Sequence, residues 1–380
     1  MKKVCIVTTV SLTIRAFILP IVRYLHENTH WELAVICDDD PTLVAELPDG
    51  VRYIPVPMKR GISFSGIGAI FKMAKIFREE KFDIVQYSTP NASLYASIAA
   101  WLAGIQYRKY HLMGFRFLGF TGAKKWLFKS IEKLCCALST DVECVSASNL
   151  KLGIEQKVFP ERKANVLFYG STSGVDLTRF SAAKKELWRK ELREQFGYQE
   201  QMCVFCFAGR MTGDKGINEL ITAFRQMDST DSRLFLVGQL EEDSGLDAAL
   251  LQWASECENV RFHPFVSDIE RYFAMADVLV LPSYREGFGN IVIEAQAMGI
   301  PVIVSDIPGP TDAMVANETG LLIPVKDAEA LTLAMKYMAE NRSQREKMGR
   351  QGQLFVEERF DQKKICQQIL LDRKRMLSEQ

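Results

Sequence analysis

The sequence contains no uninterrupted apolar run of the roughly 18 to 20 residues that a membrane-spanning helix needs, so no span is expected. Its opening residues lack the pattern of an export signal. After Lys2-Lys3 the apolar stretch is broken by Ser11, Thr13 and Arg15, with no small-residue cleavage site behind it. A disulfide framework is also missing: the cysteines number nine, an odd count, and most are scattered, which fits reduced thiols in a cytosolic compartment. Cys203-Val204-Phe205-Cys206 has metal-ligand spacing but lies inside an apolar strand pattern with no second pair, so core packing is the better reading. Repeats and low-complexity tracts are absent. Net charge is zero, with 47 basic and 47 acidic residues, but the balance is uneven. Bases outnumber acids by 23 to 16 over residues 1–180 and trail by 24 to 31 over residues 181–380.

At 380 residues the chain exceeds the roughly 250 to 300 that one hydrophobic core supports, and two domains are expected. Short β-rich apolar runs alternate with helical periodicity, which points to an α/β protein built of parallel sheets. In the first half the strands are expected at Val4 to Val10, Leu33 to Cys37, Tyr53 to Val56, Asp83 to Tyr87, Tyr107 to Met113, Val142 to Val145 and Asn165 to Phe168. The pattern restarts with Met202 to Ala208, Leu234 to Val237, Val260 to Phe262, Val278 to Leu281 and Val302 to Val304. Between the two series, Ser181 to Glu200 is dominated by charged residues and reads as a surface helix and linker. Ligands of such sheets bind outside the carboxyl ends of the strands.

Two loops carry the chemistry. After the strand ending at Ala208 comes Gly209-Arg210-Met211-Thr212-Gly213-Asp214-Lys215-Gly216, where glycines allow close backbone approach and two cations stand at a helix start. This composition suits a diphosphate; the plainer reading is a turn with surface bases. After the strand ending at Leu281 comes Ser283-Tyr284-Arg285-Glu286-Gly287-Phe288-Gly289-Asn290-Ile291-Val292-Ile293-Glu294. Seven residues separate Glu286, in the loop, from Glu294, in the first turns of the next helix. Both carboxylates can accept hydrogen bonds from sugar hydroxyls in one crevice, while the backbone of Phe288 to Ile291 can meet a phosphate. A capped helix with an acidic first turn is the alternative.

These two stretches, GRMTGDKG and EGFGNIVIEAQAMGIPVI, about 70 residues apart, resemble the signature pair of the retaining glycosyltransferases of family 4. Gly170-Ser171-Thr172-Ser173-Gly174-Val175-Asp176 fits the same resemblance. It implies the GT-B fold, two Rossmann-like domains facing across a cleft: 1–175 binding the acceptor, a linker at 176–200, 201–355 binding the nucleotide sugar, and a helical segment at 356–380 packing back toward the first domain. It also implies catalytic roles for Arg210 and Lys215 on the diphosphate and Glu286 on the donor sugar. Glu294 would hold the ribose, and Gly209, Gly216, Phe265, Phe288, Gly289, Asn290 and Ile291 would line the donor. No metal or other cofactor is implied, only a nucleotide-sugar co-substrate, with UDP the expected nucleotide.

The chain departs from the family pattern in two places. Thr8 to Phe17 replaces a glycine-rich turn, and with Pro308-Gly309-Pro310-Thr311-Asp312-Ala313 it resembles a subgroup of capsule, exopolysaccharide, lipopolysaccharide and O-antigen assembly. The small Ser11 and Thr13 are candidates for an acceptor or phosphate loop. Where relatives place a donor-sugar histidine before a glycine, this chain reads Met113-Gly114, and His111 is the nearest substitute, on the same strand face as residue 113. A hydrogen-bonded strand histidine is an equal reading. His263 follows another strand, and His26 and His30 read as surface residues.

A retaining transfer from a UDP-sugar to a lipid-diphosphate-linked glycan at the inner face of the cell membrane is therefore expected. Seven bases between Arg108 and Lys133 (Arg108, Lys109, Arg116, Lys124, Lys125, Lys129 and Lys133) face one acid, Glu132, and would attract an anionic membrane; a solvated helix face is the alternative. Within that stretch Leu127, Ile131, Leu134 and Leu138 form one apolar stripe. Phe64 to Phe77 could add apolar insertion, or pack in the core. No nucleic-acid partner is expected. The alternatives are a catalytically silent GT-B binding partner in assembly, a nucleotide-sugar epimerase, and a two-domain solute-binding protein.

Overall fold

The computed structural model describes residues 1–58, 61, 65–241 and 245–378. The chain divides into two compact units, Met1–Ser173 with Gln362–Gln380, and Gly174–Asp361.

The first unit runs β1 (Lys3–Val7), α1 (Ser11–Thr13), α2 (Leu19–Asn28), β2 (Glu32–Cys37), β3 (Arg52–Pro55), α3 (Ser65–Glu80), β4 (Ile84–Tyr87), α4 (Pro90–Leu102), β5 (Tyr107–Leu112), α5 (Gly122–Leu138), β6 (Asp141–Cys144), α6 (Ala147–Glu155) and β7 (Ala164–Val166). Its seven strands form one parallel sheet in the order β3-β2-β1-β4-β5-β6-β7. Central strands such as Val4 to Val7 are buried throughout, as expected for a parallel sheet covered on both faces. One cover is apolar: Met73 and Phe77 of α3, Ala96 and Ala99 of α4 and Cys135 and Cys136 of α5 pack with Tyr87, Tyr110, Phe117 and Phe159.

The second unit runs α7 (Lys185–Phe196), β8 (Cys203–Ala208), α8 (Ile217–Met227), β9 (Ser232–Val237), α9 (Ala248–Glu256), β10 (Val260–His263), α10 (Ile269–Met275), β11 (Val278–Leu281), α11 (Asn290–Ala297), β12 (Val302–Ser305), β13 (Gly320–Ile323), α12 (Ala328–Glu340) and α13 (Arg342–Arg359). Its sheet is again parallel, in the order β10-β9-β8-β11-β12-β13. Cys203 and Cys206 are buried in β8, as the core reading has it. The charged stretch 181–200 is built into this unit rather than spanning a gap. Arg193 and Arg189 of α7 reach Asp277 ahead of β11 at 2.5 and 3.1 Å, which fixes the helix to the sheet.

After α13 the chain returns to the first unit as α14 (Gln362–Met376). This helix brings Asp372 and Arg373 onto a buried polar stripe of the sheet. Arg373 bonds Glu143 at 2.9 Å and Gln86 at 2.7 Å and pairs with Asp372; Lys109 meets Glu143 at 3.1 Å and Asp372 at 2.9 Å and pairs with Asp141. Burial acts to raise the Glu143 carboxyl, but Arg373 and Lys109 hold it well below the usual carboxylate range.

In helix α5 the apolar stripe is not the face that packs on the sheet. Leu127 and Leu134 of the predicted stripe are largely exposed, beside Trp126 at 71%, and the helix instead buries Glu132, Cys135 and Cys136. Glu132 is accommodated because the Tyr110 hydroxyl donates to its Oε1 at 2.5 Å. In the stretch from Phe64 to Phe77, Phe64 lies outside the described residues, Ala74 and Phe77 are in the core, and Ile67 and Phe71 are exposed.

Candidate functional site

In the second sheet the strand order reverses between β8 and β11, and the loops leaving these neighbouring strands both emerge at the carboxyl end of the sheet. Topology therefore brings together the two glycine-bearing loops that lie about 70 residues apart in sequence, at the point where open α/β sheets bind ligands. Gly209 follows β8 directly. Gly216 is left-handed at φ +72° and starts α8; a Cβ there would stand 2.1 Å from the carbonyl oxygen of Pro282, so no other residue allows this approach between the loops.

The side chains meet as the backbones do. Lys215 Nζ donates to Glu286 Oε1 at 2.5 Å, with both side chains less than a fifth exposed. Tyr284 N donates to the Asp214 carbonyl at 2.9 Å, and the Arg285 guanidinium lies 2.9 Å from the Asp214 carboxylate. Arg210 is more exposed and pairs with Glu241 at 3.0 Å. Gly289, left-handed at φ +85°, starts α11 without bringing a side chain to that end. Asn290 and Ile291 form the first turn, whereas the Phe288 ring turns inward, 5.3 Å from Phe360 between ring centroids. Glu294 lies one turn further along α11, partly buried, and accepts no hydrogen bond from a described residue. Burial pushes its carboxyl up to about 7, opposed by Arg179 and assisted by Glu270, which are themselves paired at 2.7 Å. Phe265, after β10, is 72% exposed.

A family model described as "Glycosyl transferases group 1" matches residues 189–355, and one described as "Glycosyl transferase 4-like" matches residues 3–146. The capsular polysaccharide biosynthesis glycosyltransferase CapM of Staphylococcus aureus is 32% identical over 83% of this chain and 82% of its own length. This chain belongs to the group 1 glycosyltransferases. A second relative of this glycosyltransferase, the Escherichia coli UDP-Gal:alpha-D-GlcNAc-diphosphoundecaprenol alpha-1,3-galactosyltransferase, is 27% identical over 83% of the chain and 82% of its own length. Among solved structures, Anabaena HepE in complex with UDP and glucose has a TM-score of 0.79 at 19% identity, covering 97% of this chain and 98% of that one. Sucrose-phosphate synthase from Thermosynechococcus elongatus likewise has a TM-score of 0.79, at 18% identity over the whole of both chains. The fold is GT-B: two Rossmann-like units with parallel sheets.

The remaining candidates in this glycosyltransferase lie elsewhere. His111 is 1% exposed, on the sheet face under α14, with Nδ1 2.8 Å from Glu143 Oε1. The structure therefore places it inside the buried charge network and not at a surface. His263 stacks with Phe235 and Tyr272. Ser11 donates to Asp40 at 2.5 Å and accepts from Arg15, which also grips Asp40 and Glu46; Thr13 closes the short α1 turn. Among the seven bases expected in a surface patch, Lys109 is fully buried and Arg108 is spent on the carbonyls of Ile105 and Leu138, while Lys124, Lys125 and Lys133 are exposed. No group of three or more His, Cys, Asp or Glu side chains arranged to hold a metal occurs among the described residues, and no helix there is long and apolar enough to cross a membrane.

Sequence reasoning passed over two features. Tyr284 donates its hydroxyl to Glu219 of α8 at 2.7 Å. In the first unit, where the strand order reverses between β1 and β4, Thr89 adopts φ +69° with Thr9 N and Oγ1 on its hydroxyl at 3.0 and 2.7 Å. A β-branched residue at positive φ has no local sequence signature, and such strain concentrates at functional loops.

Proposed function

We propose that this enzyme moves a hexose or N-acetylhexosamine, with retention, from a UDP-sugar to a lipid-diphosphate-linked glycan in bacterial surface polysaccharide synthesis. The observation that carries the reading is the Lys215–Glu286 pair, which joins the two loops at the sheet's switch point. Names of relatives support the polysaccharide context: CapM acts in capsule biosynthesis, and the E. coli relative is named for a UDP-galactose donor and a diphosphoundecaprenol acceptor. HepE, of the same fold, was solved with UDP and glucose.

In this reading the bond from the anomeric carbon to the β-phosphate oxygen breaks, leaving positive charge on the sugar and negative charge on the diphosphate. Lys215 and Arg210 neutralise the departing diphosphate together with the amino ends of α8 and α11. Glu286 orients the sugar. Glu294, which accepts no hydrogen bond from a described residue, accepts from the ribose hydroxyls, and Phe265 offers an exposed ring to the base. The acceptor's proton passes to a departing phosphate oxygen. Replacing Lys215 or Arg210 by alanine is expected to lower kcat about 100- to 1,000-fold. Assays with a panel of UDP-, GDP- and ADP-sugars on a lipid-diphosphate acceptor test this. Near-parental rates in either variant would remove the assigned role.

The first unit supplies a membrane contact through α5, where Trp126, Leu127 and Leu134 are exposed beside Lys124, Lys125 and Lys133. Each basic residue near an anionic bilayer contributes about 1 kcal/mol. Sedimentation with phosphatidylglycerol vesicles is expected to weaken with rising salt and in Trp126→Ala. Binding indifferent to lipid charge and ionic strength rejects this contact.

A further inference from the structure

Three consecutive residues ahead of α11 are each fastened to the segment that opens α8. Glu286 receives the ammonium of Lys215, Arg285 reaches the Asp214 carboxylate, and Tyr284 is tied twice, by its N–H to the Asp214 carbonyl and by its hydroxyl to Glu219 Oε1. Glu219 sits in the first turn of α8, and its second oxygen is buried with no hydrogen-bond partner among the described residues. The ammonium of Lys326, beyond β13, lies over the ring of Tyr284, with Nζ 4.8 Å from the ring centroid. Burial and the neighbouring Glu219 push the phenol upward, so that it remains a hydrogen-bond donor throughout the neutral range.

We propose that Tyr284 and Glu219 are positioning residues for the transfer, a brace that sets the aim of Glu286 from two residues away. The inference rests on the donor-site reading given above. Its physical basis is leverage. The Lys215–Glu286 bond alone joins two flexible side chains and fixes a distance between them. The Tyr284 N–H bond to the Asp214 carbonyl and the Arg285–Asp214 pair tie the loop further, but only to the segment that precedes α8 and not to the helix itself. Among the described residues, the Tyr284 hydroxyl is the side-chain group of this loop that hydrogen-bonds to α8 itself. When the hydroxyl is removed, the half-buried Glu219 carboxylate loses the hydrogen bond it accepts from Tyr284 and the loop loses its distant anchor. Glu286 can still meet Lys215, but no longer from a fixed direction, and reactions depend steeply on such alignment.

The test uses the full chain and the sugar nucleotide that the parent enzyme turns over from the UDP, GDP and ADP panel. Tyr284→Phe is expected to lower kcat about 10-fold or more, while the affinity for the corresponding nucleoside diphosphate, read by calorimetry, stays within about threefold because Lys215 and Arg210 are untouched. Glu219→Leu is expected to match it, and Glu219→Gln, which keeps an acceptor oxygen for the phenol, is expected to recover most of the rate. The double variant Tyr284→Phe/Glu219→Leu should be no slower than either single one, as for two halves of one contact. A purely structural role would lower the melting temperature and leave kcat per folded molecule unchanged; that result, or rates within about twofold of the parent in both Tyr284→Phe and Glu219→Leu, overturns the brace. Lys215→Ala in the same assay separates the two levels. If it is impaired while the brace variants are not, only this inference fails; if it too is unimpaired, the donor-site reading fails and the brace with it.

Discussion

Glu132 shows how a single buried carboxyl can make stability depend on pH. Burial raises it from an ordinary 4.5 to about 7, against the hydrogen bond from Tyr110. A raised carboxyl binds its proton more tightly in the folded chain than in the unfolded one. Its contribution is therefore fully present below about 4.5 and is lost as pH rises toward 7. The loss over that window is on the order of 3 kcal/mol. Glu132→Gln keeps an acceptor for Tyr110 and does not titrate. It should gain stability relative to the parent between pH 5 and pH 8, as followed by urea unfolding; parallel pH profiles would contradict this. At this scale the sequence was uneven in what it disclosed. The placing of Lys215 and Glu286 in loops at strand ends is legible because loop composition next to strands is local. The partners of His111 and Lys109 are not, because Glu143, Asp372 and Arg373 come from other strands and from a helix more than 200 residues away.

Among the elements, all seven strands of the first sheet and five of the second were legible, because doubly covered parallel strands are apolar runs without alternation. The thirteenth and last strand, β13, escaped: it is four residues long, begins with glycine and is only half buried at Leu321 and Leu322, as an edge strand can be. In α5 the apolar stripe is legible, but it is not the buried face. Leucine spacing identified one stripe, while the face that packs on the sheet holds two cysteines and a protonatable carboxyl. Helix α14 depends on charge as well as apolar packing. Arg373→Met leaves Glu143 and Asp372 short of a cation in a buried site and is expected to cost about 3 to 5 kcal/mol. Adding Glu143→Leu should recover part of that loss, and urea unfolding of the two variants and the pair measures the coupling. A single Arg373→Met variant as stable as the parent would show that the network carries no such weight.

The molecule as a whole is not two consecutive segments. Its first unit needs residues 362–380, so the chain leaves that unit after Ser173 and returns at Gln362. The two crossings run side by side at their start: Val175 N donates to the Phe360 carbonyl at 2.8 Å, and Val175 pairs with Asp361. A fragment ending at residue 173 would expose Lys109 and Glu143 without their partners from α14. It should melt at a lower temperature, and less cooperatively, than the same fragment joined by a flexible linker to residues 362–380. Equal melting of the two would mean that the first unit is autonomous without its last helix. From sequence, the length and the restarting strand pattern anticipated two bodies, but a return of the chain after 188 intervening residues leaves no local trace.

Neither cation of the first glycine-bearing loop stands alone, since Lys215 is matched by Glu286 and Arg210 by Glu241. Under the proposed assignment the arriving diphosphate is then a rival rather than a newcomer: it shares an ammonium, with three N–H groups to offer, that already serves a carboxylate. The sharing loosens the hold on Glu286 without breaking it as the sugar arrives beside it. Seating the nucleotide thereby arms the residue that handles the hexose, and a sugar unaccompanied by its phosphates would find that residue still fully engaged.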